Sequence, residues 1–369
     1  MSDAACPLCR GTDAAVAHVG EFSLAGRRIV QETRVCRSCG LTFEHAEPDQ
    51  DWASLYGTVW HRAATPSAAQ RALYAADGER LGPGRARRAF DIGCGAGLLL
   101  DELARRGWRT AGCDPDGSAV EVARSKGHAV VPELFTPRAE FRSELVILGD
   151  VLEHQADPLA LLSLARAIVQ PGGRFYLRVP DLEALDLETF GDVFGLQHRV
   201  WFTAATLRET LGVAGFEVAS QGTFGRGLFA LARLAEPRPW RRPPGEPERS
   251  LAFVRAASCD LHARRRRLAL RLVELAGREV ALYGGGEHAS ELLAFSPLGK
   301  IATRVVDGNP ALWGRTCGGV VIEAPRSLRE RPPESVVIAS RAYQAEIAAE
   351  LRDLRERGVE VVQLYAAAG

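Results

Sequence analysis

Along residues 88–180, short apolar runs alternate with segments whose apolar residues recur at helical spacing. A run ending Phe90-Asp91-Ile92 predicts a buried strand; 98–106 predicts a helix closed by Gly107, and 108–113 a second strand. A helix over 117–126 closed by Gly127, then strands at 128–131 and 145–148, continue the alternation. Asp157 and Pro158 mark the N-cap and first residue of a helix over 159–169, Pro171-Gly172-Gly173 ends it, and 174–179 is a strand. Thr203 caps a helix ending around Gly215, and 216–220 with 227–233 form a closing antiparallel pair. Strands and helices joined this tightly predict a parallel sheet wound on both faces. The pattern returns late in the chain, with strands at 280–283, 302–306 and 335–339 and a helix from Glu287 to Phe295. An α/β fold with two Rossmann-like units is therefore expected.

At 369 residues the chain is too long for one ordinary core. The expected division is 1–48, 49–236, a Pro- and Arg-rich connector and helix over 237–277, and 278–369. Lys+Arg and Asp+Glu are equal at 46 each, so nothing global points to nucleic acid or an anionic membrane. No apolar stretch reaches bilayer-spanning length, and the opening Met-Ser-Asp-Ala-Ala-Cys lacks a basic region followed by an apolar run. A cytoplasmic location is expected, where cysteines are thiols or metal ligands rather than disulfides. Cys6-Pro-Leu-Cys9 and Cys36-Arg-Ser-Cys39 have the spacing of two zinc knuckles. Four thiolates fill the coordination shell of Zn²⁺, so the ion is expected to be structural, replacing a core that a short ribbon cannot build. Two redox dithiols are the alternative.

Residues 90–97, Phe-Asp-Ile-Gly-Cys-Gly-Ala-Gly, put a glycine turn between a strand and a helix, where backbone N–H groups surround a small polar ligand. No Lys-Ser/Thr pair follows, which excludes a triphosphate P-loop. Asp114 ends the next strand, where a carboxylate can take both ribose hydroxyls of an adenosine. A nicotinamide-binding turn, or a turn with no ligand, stays open at this point. The spacing resembles the first two motifs of class I S-adenosylmethionine (SAM) methyltransferases. Gly149-Asp150-Val151-Leu152-Glu153-His154, followed by Asp157-Pro158 and Pro-Gly-Gly, resembles the later signature of the same enzymes. That resemblance implies SAM as cofactor, held by Asp91, Gly93, Cys94, Gly95, Asp114, Pro115, Gly149 and Asp150. Tyr56, in an aromatic segment before the core, would serve as a lid near the sulfonium or simply pack against the core. His154 is expected to make a structural hydrogen bond.

The order of modules, a four-cysteine ribbon, a SAM core and a further α/β unit, resembles the sugar C-methyltransferases that act on nucleotide-linked deoxy-keto-sugars in antibiotic biosynthesis. Their loop of Tyr-His-Glu-His before an aromatic-Phe-Ser corresponds here to Gly195, Leu196, Gln197 and His198 before Trp201-Phe202-Thr203. Only the last histidine is kept. The resemblance implies His198 as general base, with Gln197 and Trp201 beside the acceptor. A helix-entry histidine that pins the loop is the other reading. The resemblance further implies that the last unit shapes the acceptor site or carries the acceptor's nucleotide end, with Tyr283, Glu287, His288 and Arg341 as candidates, and a scaffold or dimer-forming role would need none of them. Arg264 to Arg267 could clasp a diphosphate or form a solvated helix face. The competing functions are O-, N- or C-methylation of a non-sugar metabolite, RNA methylation, and SAM binding without turnover.

Overall fold

The computed structural model describes residues 5–24, 27–45, 68–185, 187, 193–195, 197–341 and 343–365. Two compact units emerge. The first comprises Met1–Gly20, Val30–Asp186 and Leu196–Arg255; the second comprises Glu21–Ile29, Leu187–Gly195 and Ala256–Gly369.

The first unit opens with β1 (Ala14–Leu24, its residues up to Gly20), β2 (Arg27–Cys36, its residues from Val30 onward) and β3 (Thr42–His45). Helix α1 (Ala68–Leu81) then leads to β4 (Arg88–Ile92), α2 (Leu98–Arg105), β5 (Arg109–Cys113), α3 (Gly117–Ser125) and β6 (Ala129–Val131). Next come β7 (Ser143–Gly149), α4 (Pro158–Arg166), β8 (Val169–Pro180), the short β9 (Val200–Trp201), α5 (Ala204–Val213), β10 (Phe216–Phe224) and β11 (Gly227–Leu234). Seven of these strands form one sheet in the order β10-β11-β8-β7-β4-β5-β6, with β11 antiparallel to both its neighbours. Leu145, Val146, Ile147 and Leu148 are fully buried in β7, the continuous apolar run that a strand covered on both faces requires.

The helix boundaries follow local chemistry. Asp157 Oδ1 accepts from the Ala160 N–H at 3.1 Å and Pro158 opens α4. Thr203 and Thr206 close a capping box on α5. At Pro171-Gly172-Gly173 the expectation is corrected: α4 ends at Arg166 and β8 has begun at Val169. Ser143 pairs with Val169 and Leu145 with Arg174, so the turn residues loop out within β8 rather than separate helix from strand.

Strands β1, β2, β3 and β9 make a second sheet. Thr42 pairs with Trp201 and Phe43 with Val200, so a strand from beyond the core sheet completes the N-terminal one. Leu8, Leu41 and Phe43 share one apolar cluster with Phe175, Leu177, Val200 and Phe202. Burying them there compensates for the small interior of the ribbon.

In the second unit, α6 (Glu246–Val273, its residues from Ala256 onward) precedes β12 (Val280–Tyr283), α7 (Glu287–Phe295), α8 (Leu298–Ile301) and β13 (Ala302–Val306). Then follow β14 (Thr316–Cys317), β15 (Val320–Glu323), α9 (Ser327–Glu330), β16 (Ser335–Ile338), α10 (Gln344–Glu350), α11 (Arg352–Glu356) and β17 (Glu360–Gln363). The sheet order is β14-β15-β13-β12-β16-β17, parallel except for the β14 edge. Among the described residues no helix is long and apolar enough to cross a membrane.

Candidate functional site

The carboxyl ends of β4, β5 and β7 carry Asp91, Asp114 and Asp150. After β4 the chain turns sharply: Gly93, Gly95 and Gly97 have φ of 78°, 50° and 76°. A Cβ on Gly93 would lie 2.4 Å from Val151 Cγ2, so both backbone conformation and space demand glycine there. The Gly93 and Cys94 N–H groups donate to the Cys113 carbonyl at 2.8 and 3.1 Å, tying the turn to β5. Asp114 Oδ2 accepts from the Gly95 N–H at 2.8 Å and Oδ1 from the Asp116 N–H at 2.9 Å. One carboxylate therefore spans both loops, and each oxygen keeps a lone pair for a ligand hydroxyl. Asp91 is 5% exposed, Cys94 is buried and Pro115 is exposed. Burial, followed by the nearby Asp91 and Asp114, pushes the Cys94 thiol up, leaving it a packing group rather than a nucleophile.

Asp150 has a φ of 57° and pairs with Arg178 on the neighbouring β8. The Arg178 guanidinium is buried and also donates to Asp77 Oδ2 on α1 at 2.6 Å. Asp77 further accepts from Tyr176 at 2.5 Å and Arg80 at 2.7 Å. Sequence reading did not find this network. Its signal was Tyr176 and Arg178, two positions apart on one strand, which places both on one face. Buried pairs of this kind contribute little net stability, but they fix the position of what they hold, here Asp150.

His154 Nδ1 lies 2.6 Å from the Gln197 carbonyl, so that nitrogen carries the proton and donates. The Arg199 N–H donates to the Glu153 carbonyl at 2.7 Å, and Arg199 also pairs with the buried Glu44 of β3. The His198 loop is thus tied on one side to residues 153–154 and on the other to the N-terminal sheet. His198 stands 5.0 Å ring to ring from His154, and Glu153 Oε1 lies 3.7 Å from His154 Nε2. Burial, and then His154, push the His198 pKa down to about 3.

Cys6, Cys9, Cys36 and Cys39 bring four sulfurs within 4.8 Å of one another. The Cys6–Cys39 and Cys9–Cys36 sulfurs are 3.5 Å apart, a spacing that fits thiolates about 2.3 Å from a shared zinc ion. Cys6 and Cys9 share one knuckle and Cys36 and Cys39 the other: the Cys6 carbonyl accepts from Arg10 N–H and the Cys36 carbonyl from Gly40 N–H, both at 2.9 Å. Arg10 and Gly40 close these turns with φ of 62° and 81°.

In the second unit Asp307 Oδ2 accepts from the Gly285 N–H and Oδ1 from the Asn309 N–H, both at 2.7 Å. This repeats the Asp114 arrangement.

Residues 67–221 match the family model described as a methyltransferase domain, and residues 256–364 match the C-methyltransferase C-terminal domain. The chain carries a SAM-dependent methyltransferase domain. Its fold is the class I Rossmann-like one, followed by a second α/β domain. A ubiquinone biosynthesis O-methyltransferase from Methylobacterium sp. (strain 4-46) is 39% identical over 94 residues, 23% of this chain and 38% of that protein. A 37.1 kDa protein of transposon TN4556 from Streptomyces fradiae is 30% identical over 177 residues, 44% of this chain and 49% of that one. The chain thus spans less than half the length of these curated relatives. Among solved structures, the CcbJ methyltransferase from Streptomyces caelestis is 19% identical, covering 50% of this chain and 96% of its own with a TM-score of 0.37. The glycopeptide N-methyltransferase MtfA, complexed with SAM, is 15% identical over 44% of this chain and 93% of its own, with a TM-score of 0.37.

Within the methyltransferase domain, Asp91, Gly93, Cys94, Gly95, Asp114, Pro115, Gly149 and Asp150 gather at adjoining strand ends and turns. Gln197 and His198 lie in the loop over Glu153 and His154. Tyr56 and Leu196 lie outside the described residues. Trp201, expected beside the acceptor, is a 1% exposed strand residue of β9, its ring centre 6.3 Å from that of His198. Tyr283 is likewise a packing residue, 3% exposed, with its hydroxyl donating to Glu350 at 2.8 Å. Glu287 and His288 open α7, and Arg341 follows β16. In the arginine run, Arg264 pairs with Asp260 at 2.8 Å and Arg265 stacks over Phe295, so two of its members are engaged within the unit.

Proposed function

We propose that the chain methylates a carbon of a nucleotide-linked deoxy-keto-sugar, drawing the methyl group from SAM. The observation that carries this reading is the C-methyltransferase C-terminal domain match over residues 256–364, following the methyltransferase domain. SAM, when bound, supplies a methyl carbon already activated by its sulfonium. Asp114 holds the ribose hydroxyls, the 93–97 turn presents backbone N–H groups, and Asp150, fixed by Arg178, faces the methionine end. His198 would take the proton beside the acceptor's ketone, and the methyl group that SAM supplies would pass to that carbon, with S-adenosylhomocysteine as the leaving group. In the second unit Asp307, with its glycine turn, is assigned to the ribose of the acceptor's nucleotide. The four cysteines hold a structural zinc ion.

A second reading, O-methylation of another small metabolite, is favoured by the O-methyltransferase named among the relatives and by Gly195 and Gln197 standing where the sugar enzymes carry tyrosine and glutamate. The same histidine would then deprotonate a hydroxyl.

The test incubates the full chain with SAM and a panel of nucleotide keto-sugars and hydroxylated aromatics, followed by product mass. Transfer to a sugar carbon is expected. His198→Ala should lower the rate by about 10²–10⁴ while calorimetry shows unchanged SAM affinity. Undiminished transfer in that variant removes the base role, and no heat on titration with SAM overturns the whole reading.

A further inference from the structure

We propose that Glu153, His154 and His198 form a second metal site, lined by nitrogen and oxygen, for a divalent transition-metal ion, and that its occupation is mutually exclusive with methyl transfer. A carboxylate oxygen and one nitrogen of each imidazole lie within 4.8 Å of one another. Bonds of about 2.0–2.2 Å to a shared tetrahedral ion set the donor atoms about 3.4 Å apart, so side-chain rotation must draw the three together on binding. The hydrogen bond from His154 Nδ1 to the Gln197 carbonyl leaves the lone pair on Nε2, the atom 3.7 Å from Glu153 Oε1. Metal-bound histidines characteristically spend their other nitrogen on such a carbonyl. The ligand set is also held in place: Glu153 and His154 share one 3-10 turn, and the Arg199 N–H bond to the Glu153 carbonyl keeps the His198 loop against it. Glu153 is 2% exposed, so its carboxylate is shielded from competing water.

Two histidines and one carboxylate leave a coordination position open, and this donor set suits Zn²⁺, Co²⁺ or Fe²⁺ rather than Mg²⁺ or Ca²⁺. The ion uses the imidazole lone pair that proton removal needs. Exclusion of transfer rests on the base role of His198; the site itself does not.

Metal-free full-length protein titrated with Co²⁺ tests both parts, because thiolate ligation gives intense near-ultraviolet charge-transfer absorption and a nitrogen–oxygen site does not. Two ions per chain are expected. The second should be lost, with affinity down at least about a hundredfold, in Glu153→Gln and in His198→Ala, each retaining the thiolate band as a folding control. Methyl transfer should fall in proportion to occupancy of the second site and return on its chelation. Binding that stops at one ion per chain, or a second ion unaffected by both substitutions, overturns the site. Two ions with undiminished transfer overturn the exclusion. If His198→Ala loses the second ion yet transfers normally, the site stands and the base role falls.

Discussion

Both α/β units build the same device, a carboxylate at the end of the second strand gripping the N–H of a glycine in the first turn. Asp114 bonds Gly95 and Asp116, while Asp307 bonds Gly285 and Asn309. The surroundings differ. In register, Ile92 pairs with Cys113 and Tyr283 with Val306, so Leu282 holds the place of Asp91 and the second turn is one residue shorter. The strand corresponding to β7 ends in Ala339-Ser340-Arg341 instead of Gly149-Asp150. Of the three corresponding strand ends, the first unit thus carries an acid at each and the second at one, with Glu323 ending the neighbouring β15. The carboxylate-on-glycine contact is a property of the frame; cofactor chemistry needs the additional acids and the His198 loop.

The sharpest way to break this comparison is to remove each carboxylate in turn. Asp114→Ala should weaken SAM binding about a hundredfold by calorimetry, since charge-assisted hydrogen bonds are each worth about 1.5–3 kcal/mol. Asp307→Ala should leave SAM affinity within about twofold and lower affinity for the acceptor instead. Equal effects on SAM would mean that the two turns are functionally equivalent.

Zinc removal comes next. β9, directly after the His198 loop, is a strand of the N-terminal sheet, and Glu44 pairs with Arg199. Chelation, or Cys36→Ser, should therefore lower methyl transfer about tenfold or more as the loop loses its support, with SAM affinity retained. A rate that stays constant as zinc content falls would separate ribbon from site.

The smallest effect concerns the turns themselves. Gly93→Ala should cost about 1–3 kcal/mol in denaturant unfolding, because φ is 78° and Val151 occupies the space of the new methyl group. Gly286→Ala, with φ of −87° and nothing within 4 Å, should stay within about 0.5 kcal/mol. A reversed order would place the strained turn in the second unit.

What could be read in advance was local. The glycine turn, the Asp157-Pro158 helix start and the Thr203 cap each depend on side chains a few positions apart, and each formed as expected. The misread Pro-Gly-Gly segment marks the limit of that approach. A turn signal fixes backbone direction, but pairing with β7 decides whether the strand starts before or after it. Trp201 shows the same limit, because an aromatic in a loop motif gives no sign that its backbone will pair with Thr42 in the N-terminal sheet.

The sequence by itself determined the alternation of strands and helices, the carboxylates at the strand ends and the four-cysteine spacing. Each is set by short-range sterics, hydrogen bonding or ligand geometry. Only the tertiary structure decided that Arg178 reaches Asp77, 101 residues away, as well as Asp150, that the His198 loop rests on His154, and that the N-terminal sheet borrows β9. These contacts form because buried charges and strand edges must find partners, and which partner is near depends on how the whole chain packs.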